Sequence, residues 1–101
     1  MYIFSGKVYT LLIAYIEVGQ LKIKHKSKHK ELILTGHIKR ELYDRYKKNL
    51  DLIFEILMDG NYSKESKEKF KVEYRTKHGI WELVYVETEN EIILIHLKLR
   101  R

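Results

Sequence analysis

The chain has 101 residues, a formal net charge of +6, and neither cysteine nor proline. This length corresponds to one domain spanning residues 1–101, and the 45% of apolar residues can supply its core. The lack of cysteine excludes disulfides, thiolate catalysis and zinc sites built on sulfur ligands.

The composition and the apolar runs also bear on the source of the protein and on its location in the cell. Lys, Glu, Ile and Tyr are abundant, a bias typical of thermophilic proteins and also of proteins from AT-rich genomes. The longest apolar run covers residues 8–16, whereas a membrane span needs about 20 residues. Glu17 follows this run directly, without a small-residue cleavage site. We therefore expect a cytoplasmic protein that does not associate with membranes.

The N-terminal third predicts strands. Residues 7–17 are rich in β-branched and aromatic side chains, which favours a buried strand, with a short helix as the alternative. Residues 21–25 alternate between apolar and polar, as in a half-exposed strand. Residues 26–30 are predicted to form an exposed tip, and residues 31–35 a returning strand.

Between His37 and Asp59 the apolar spacing becomes helical. Two helices are predicted, at about 37–47 and 50–59, with Asn49 as the N-cap of the second and Gly60 ending it. The buried face of the first helix is formed by Ile38, Leu42 and Tyr46. That of the second is formed by Leu50, Ile53, Phe54 and Leu57.

A charged loop at residues 61–68 separates the helices from three further predicted strands. These strands cover residues 69–77, 80–88 and 91–99, and their short connections favour an antiparallel meander. The predicted fold class is α+β. Two helices pack on an antiparallel sheet that ends in a three-stranded meander, with extra N-terminal strands.

The junction between the third predicted strand and the first helix carries the most chemical information. Thr35, Gly36 and His37 follow an apolar strand, and Arg40 and Arg45 lie one and two turns further along the helix. An imidazole beside guanidinium groups suits a site that handles phosphates. An ordinary solvated helix start, with ion pairs at i, i+4, is the alternative.

The order of strand, histidine at a helix start, arginine-rich helix, second helix ending in Asp-Gly, and meander resembles the RelE, ParE and BrnT-like small toxins. The similarity covers about residues 32–99 and is carried by His37, Arg40 and Arg45, the segment 50–60, and the strands from Lys69 to Leu99. It implies ribosome-dependent or free RNA cleavage without a metal or cofactor, by attack of the ribose 2′-OH on the adjacent phosphate. It also implies an antitoxin protein as partner.

That chemistry requires a base, an acid and cations around the phosphate. His37 and His96 are the candidates for proton transfer. The candidates for binding phosphate are Arg40, Arg45, Arg75 and Lys98. Strict strand alternation puts His96 on one face with Ile92, Leu94 and Lys98, so a role as a buried core histidine is the alternative.

The positive charge is concentrated between residues 21 and 48, which indicates a polyanion partner such as RNA or another nucleic acid. Solubility is the alternative explanation. The predicted contacts to a nucleic-acid backbone are Lys22, Lys24, Lys26, Lys28 and Lys30. Trp81 and Tyr85 share a strand face and are candidates for stacking on bases, or else core residues. No metal site is expected, because His25 and His29 lie among lysines that repel cations.

Three functions therefore remain open from the sequence. The first is a small basic endoribonuclease of the toxin type. The second is a non-catalytic nucleic-acid-binding module of viral or plasmid origin, whose affinity would fall steadily as lysines are removed. The third is an oligomeric assembly protein, such as a homodimer, which would ignore RNA.

Overall fold

The computed structural model describes the backbone of residues 13–17, 20–25 and 28–101, and the side chains of Lys22 and residues 29–101. Three strands come first: β1 (Ile13–Glu17), β2 (Gln20–His25) and β3 (Lys28–Leu34). Helix α1 (Gly36–Lys39) continues directly into a π-helical segment (Arg40–Arg45), and helix α2 covers Leu50–Asp59. The chain then forms β4 (Asn61–Lys64), β5 (Lys69–Thr76), β6 (Gly79–Glu87) and β7 (Glu91–Arg100).

The described strands form one sheet in the order β1-β2-β3-β7-β6-β5-β4. Strands β5, β6 and β7 pair antiparallel in chain order, and β4 adds antiparallel to β5. Strand β3 pairs in parallel with β7, from Glu31 opposite Glu91 to Leu34 opposite Leu94. The α+β class is confirmed, and the sheet joins strands from both halves of the chain.

Two expectations about the sheet were wrong. The sheet is mixed rather than antiparallel, because β3 and β7 run parallel to each other. The helices and strands that lie between them in the chain form the long crossover that parallel pairing requires. Residues 61–64 form strand β4 although all four are exposed, so no apolar pattern marked them as a strand. The predicted strand at residues 7–17 is seen over Ile13–Glu17, and its earlier residues lie outside the described part of the chain.

Helix α1 contacts β3 and β7, helix α2 contacts β5 and β6, and the buried apolar residues of helices and strands form one core cluster. Ile38 and Leu42 from the first helical segment are fully buried, as expected from their spacing. They meet apolar residues from α2 and the strands, including Ile53, Phe54, Ile56, Val72, Leu83, Ile92, Leu94 and Leu97. Burying such side chains supplies the main driving force for folding.

The end of the first helical segment and the ends of α2 follow from particular residues. Lys47 adopts a left-handed backbone conformation with φ of 55°, which stops the π-helical segment. The side chain of Asn49 accepts a hydrogen bond from the Asp51 N–H at 3.0 Å, so its role as N-cap is confirmed. Gly60 follows α2 with φ of −77°, and a Cβ there would lie 2.4 Å from Val72. The glycine is therefore required by close approach to β5 rather than by a left-handed turn.

Candidate active site

The first helical segment is attached to β7 at both ends. At its start, the Thr35 hydroxyl donates to the Leu94 carbonyl at 3.0 Å and accepts from the Ile38 N–H at 3.3 Å. At its end, the Leu99 N–H donates to the Tyr46 hydroxyl at 3.1 Å. Strand β3 ends opposite Leu94. The helical segment that follows therefore lies along the part of the β7 edge beyond Leu94, where β3 no longer pairs with it. The middle of this edge carries His96.

A β-bulge in β7 determines where His96 points. Val84 pairs with His96 but Tyr85 pairs with Leu94, so β7 contains one extra residue at this position. Ile92 and Leu94 are buried before the bulge, whereas Leu97 is buried after it. The expectation that His96 shares a face with Leu94 was therefore wrong. Without the bulge, His96 would point into the core; with it, the imidazole is only partly buried.

His37 and His96 come into direct contact although they are 59 residues apart in the chain. His37 Nε2 lies 3.5 Å from His96 Nδ1. The rings are stacked, with centroids 5.7 Å apart and an interplanar angle of 8°. The side chain of His37 is 50% exposed, so the pair is open to solvent on one side. Two imidazoles within reach of each other can share and exchange a proton.

Glu41 and Arg45 extend this contact along the helical face. Glu41 Oε1 lies 3.6 Å from His37 Nε2, and Glu41 Oε2 lies 3.5 Å from Arg45 Nη1. The Glu41 side chain is only 12% exposed, and its Oε2 is buried without a hydrogen bond within the described part of the chain. The four residues His96, His37, Glu41 and Arg45 thus form a continuous row of contacts, named here the His37 cluster.

The π-helical segment supplies two of these four residues. The Tyr46 N–H donates to the Glu41 carbonyl at 2.9 Å, which is the i→i+5 bond of a π-helix. π-Helical turns are rare and occur frequently at functional sites. Sequence reasoning did not select Glu41, although its spacing of four residues from both His37 and Arg45 was the available signal.

The remaining phosphate-binding candidates lie at different distances from the His37 cluster. Arg40 is exposed, and its Nη1 is 3.8 Å from the position of a Cβ on Gly36, so it lies beside the start of α1. Lys98 is exposed and lies two residues, or about 7 Å, along β7 from His96. Across β6, His96 is in register with Lys71 of β5. Arg75 lies four residues further along β5 than Lys71. Four residues span about 13 Å, so Arg75 is not brought to the histidines.

The predicted lysine contacts divide into three groups. Lys22 is half-buried on β2, opposite Glu31. Lys30 is 4% exposed, and its Nζ bonds Glu87 Oε2 at 2.7 Å and the Thr88 carbonyl at 2.6 Å. The expectation that Lys30 lies on an exposed tip and contacts nucleic acid was wrong, because the ion pair with Glu87 holds the Lys30 side chain in a buried position. Lys26 and the side chains of Lys24 and Lys28 lie outside the described residues.

Trp81 and Tyr85 belong to the core, so the alternative to base stacking is the one that the structure shows. Trp81 is 5% exposed and Tyr85 is fully buried. The Tyr85 ring stacks on Phe70 with centroids 5.4 Å apart, and Trp81 contacts the Tyr46 ring edge-on at 5.0 Å. Each ring is covered by the core residues around it, so neither offers a face to a nucleotide base.

No protein-family model, curated protein or solved structure matches this chain. Within the described ranges, no helix is long and apolar enough to cross a membrane. The same residues contain no group of three metal-ligating side chains placed to hold an ion.

Proposed function

We propose that the protein is a small basic endoribonuclease of the toxin type, which cleaves RNA without a metal by attack of the ribose 2′-OH. The observation that carries this proposal is the contact between His37 Nε2 and His96 Nδ1 at 3.5 Å on a partly exposed surface. Cleavage of this kind needs two groups that exchange protons beside a single phosphodiester. Histidine is the side chain best suited to both roles near neutral pH.

The two rings have different surroundings, which suggests a division of roles. Glu41 lies 3.6 Å from His37 Nε2 and can form an ion pair with the positively charged form of this ring. In the proposed reaction His37 is therefore the acid, and His96 is the base that removes the 2′-OH proton. The 2′-oxygen then bonds to phosphorus, the bond from phosphorus to the 5′-oxygen breaks, and His37 protonates the leaving oxygen. The products are a 2′,3′-cyclic phosphate and a 5′-hydroxyl end.

Cations near the pair would stabilise the negative charge on the phosphate in the transition state. Arg45 belongs to the His37 cluster, Arg40 lies beside the helix start, and Lys98 lies on the same strand as His96. Arg45 is the strongest candidate, because its guanidinium is largely exposed and can rotate from Glu41 towards a phosphate. Arg75 has no part in this proposal.

The order of elements supports the resemblance to small toxins. Strand β3, His37 at the start of α1, helix α2 ending at Asp59, and the strands β5 to β7 occur in the order that the resemblance names, with β4 added between α2 and β5. Such a toxin needs a protein that inhibits it until required. The expected antitoxin is an acidic chain that covers the exposed arginines and lysines around the His37 cluster.

The deciding experiment is RNA cleavage in EDTA by wild-type protein and by His37→Asn and His96→Asn. Either substitution removes proton transfer while keeping a polar side chain of similar size, so the rate should fall by about 10²–10⁴-fold. The matched control is His29→Asn, which changes an exposed histidine on β3. Products should end in 2′,3′-cyclic phosphate, and an RNA with 2′-deoxyribose at the cleavage position should resist cleavage.

Other outcomes would reject the nuclease. Cleavage that survives in both variants, or that yields 5′-phosphate ends, would place the activity elsewhere or in a contaminant. Salt-sensitive RNA binding without cleavage would favour the nucleic-acid-binding module. An obligate oligomer that neither binds nor cleaves RNA would favour the assembly protein.

A further inference from the structure

A groove of about 500 Å³ adjoins the His37 cluster and shares Arg45 with it. Its lining also includes Tyr46 and Lys48 from the end of the first helical segment, Glu55 from α2, and Tyr74 and Trp81 from the sheet. This volume lies within the range of sites that hold small ligands, and it is large enough for one nucleotide. The groove therefore lies next to the position where the scissile phosphate would bind.

One side of the groove presents flat, stackable groups. The Arg45 guanidinium lies over the Tyr46 ring, 5.5 Å from its centroid, and the Tyr46 ring in turn packs edge-on against Trp81. The Tyr46 hydroxyl is fixed by the Leu99 N–H, so the ring is held in place. Unpaired RNA bases stack on aromatic rings and on arginine planes. This stack is a suitable platform for a single base.

The polar groups of the groove suit the other parts of a nucleotide. Lys48 is exposed and Arg45 is largely exposed, so both can contact a phosphate. Glu55 is half-buried, and its Oε2 accepts a hydrogen bond from the Tyr74 hydroxyl at 3.4 Å. A carboxylate fixed in this way accepts hydrogen bonds but offers none. It therefore selects for bases that present N–H groups.

We propose that this groove is a base-recognition subsite that holds one guanine nucleotide of a single-stranded RNA next to the cleavage position. Guanine is chosen because its N1–H and N2–H groups lie side by side and can both donate to one carboxylate. Uracil presents one N–H flanked by two carbonyl oxygens, which a carboxylate repels. The inference rests on the proposed ribonuclease function, and it adds sequence preference to it.

Binding of mononucleotides tests the subsite independently of cleavage, because guanosine 5′-monophosphate has no phosphodiester bond to cleave. Affinity is measured by titration calorimetry, with the fluorescence of Trp81, the single tryptophan of the chain, as a local reporter. Guanosine monophosphate should bind at least about tenfold more tightly than uridine monophosphate, as expected for hydrogen bonds to a charged group. Glu55→Gln should abolish this preference, and Arg45→Ala should weaken both nucleotides.

The controls are Glu68→Gln and Lys64→Ala, which make the same charge changes at exposed positions away from the groove. The inference is overturned if guanosine monophosphate does not bind at millimolar concentration, if both nucleotides bind equally, or if the controls weaken binding as much as the groove variants. Nucleotide binding without RNA cleavage would reject the proposed nuclease but keep the subsite. Cleavage without base preference would reject the subsite alone.

Discussion

Lys30 and Glu87 join the N-terminal strands to the end of β6 through a buried ion pair. The Lys30 ammonium lies 2.7 Å from Glu87 Oε2 and 2.6 Å from the Thr88 carbonyl, and Lys30 itself is almost fully buried. Moving charges out of water is costly, and their attraction offsets this cost only while both partners are present. The two residues should therefore respond differently to substitution.

Glu87→Ala leaves a buried ammonium without its counter-ion, so we expect the free energy of unfolding to fall by about 3 kcal/mol. Lys30→Met replaces the ammonium with an apolar group of similar length, and the loss should stay below about 1.5 kcal/mol, since Glu87 can still reach water. Urea unfolding followed by circular dichroism measures both values. Equal losses for the two variants would contradict this account of the pair.

The first helical segment stops at Lys47, which holds a left-handed conformation that side chains with a Cβ rarely adopt. Such a conformation costs a non-glycine residue about 1 kcal/mol. The Lys48 N–H donates to the Leu42 carbonyl at 2.8 Å across this turn, so the conformation is fixed by the surrounding structure. Strain at this position lies one residue from Tyr46, which anchors the segment to β7.

Lys47→Gly should raise the free energy of unfolding by about 0.5–1 kcal/mol, because glycine adopts the left-handed conformation without strain. Lys47→Ala is the matched control, since it removes the same charge but keeps a Cβ. Thermal unfolding of both variants separates backbone strain from charge. A gain of the same size in Lys47→Ala would show that lysine charge, rather than backbone conformation, limits stability.

At the level of elements, the sequence predicts those parts that depend on local pattern. The apolar spacing of Ile38 and Leu42 identified the buried side of the first helix, and Asn49 was recognised as a cap. The π-helical segment and the bulge in β7 were not predicted, because both insert one residue into a regular period. The bulge matters most, since strict alternation would bury His96.

The assembly of the His37 cluster could not be predicted, because it depends on pairing between distant elements. His37 and His96 were selected from the sequence, yet only the parallel pairing of β3 with β7 brings them together. Lys30 was misplaced for a related reason, since its partner Glu87 is 57 residues away. Local sequence patterns indicate which side chains are apolar, but they do not indicate which distant strand a charged side chain will contact.

Buried phenols make the stability of the whole molecule sensitive to alkaline pH. Burial raises the pKa of the Tyr85 phenol above its ordinary value of 10.0, and the neighbouring Tyr62 and Glu87 raise it further by disfavouring another negative charge. In the unfolded chain Tyr85 ionises near pH 10, while in the folded protein it ionises only at a higher pH. The contribution to stability is therefore complete below about pH 10 and is lost as the pH rises above it.

Replacing Tyr85 with phenylalanine should make stability less sensitive to alkaline pH. Above pH 10 the wild-type unfolded state binds one proton fewer at this position, which lowers the free energy of unfolding by about 1.4 kcal/mol per pH unit. Tyr85→Phe removes this contribution, so its stability curve should be flatter between pH 10 and about 11.5. Urea unfolding at a series of pH values measures both curves, with Tyr43→Phe as the control at an exposed phenol. If Tyr85→Phe and Tyr43→Phe change the slope equally, the phenol of Tyr85 does not cause the sensitivity to alkaline pH, and general repulsion among ionised surface groups must do so instead.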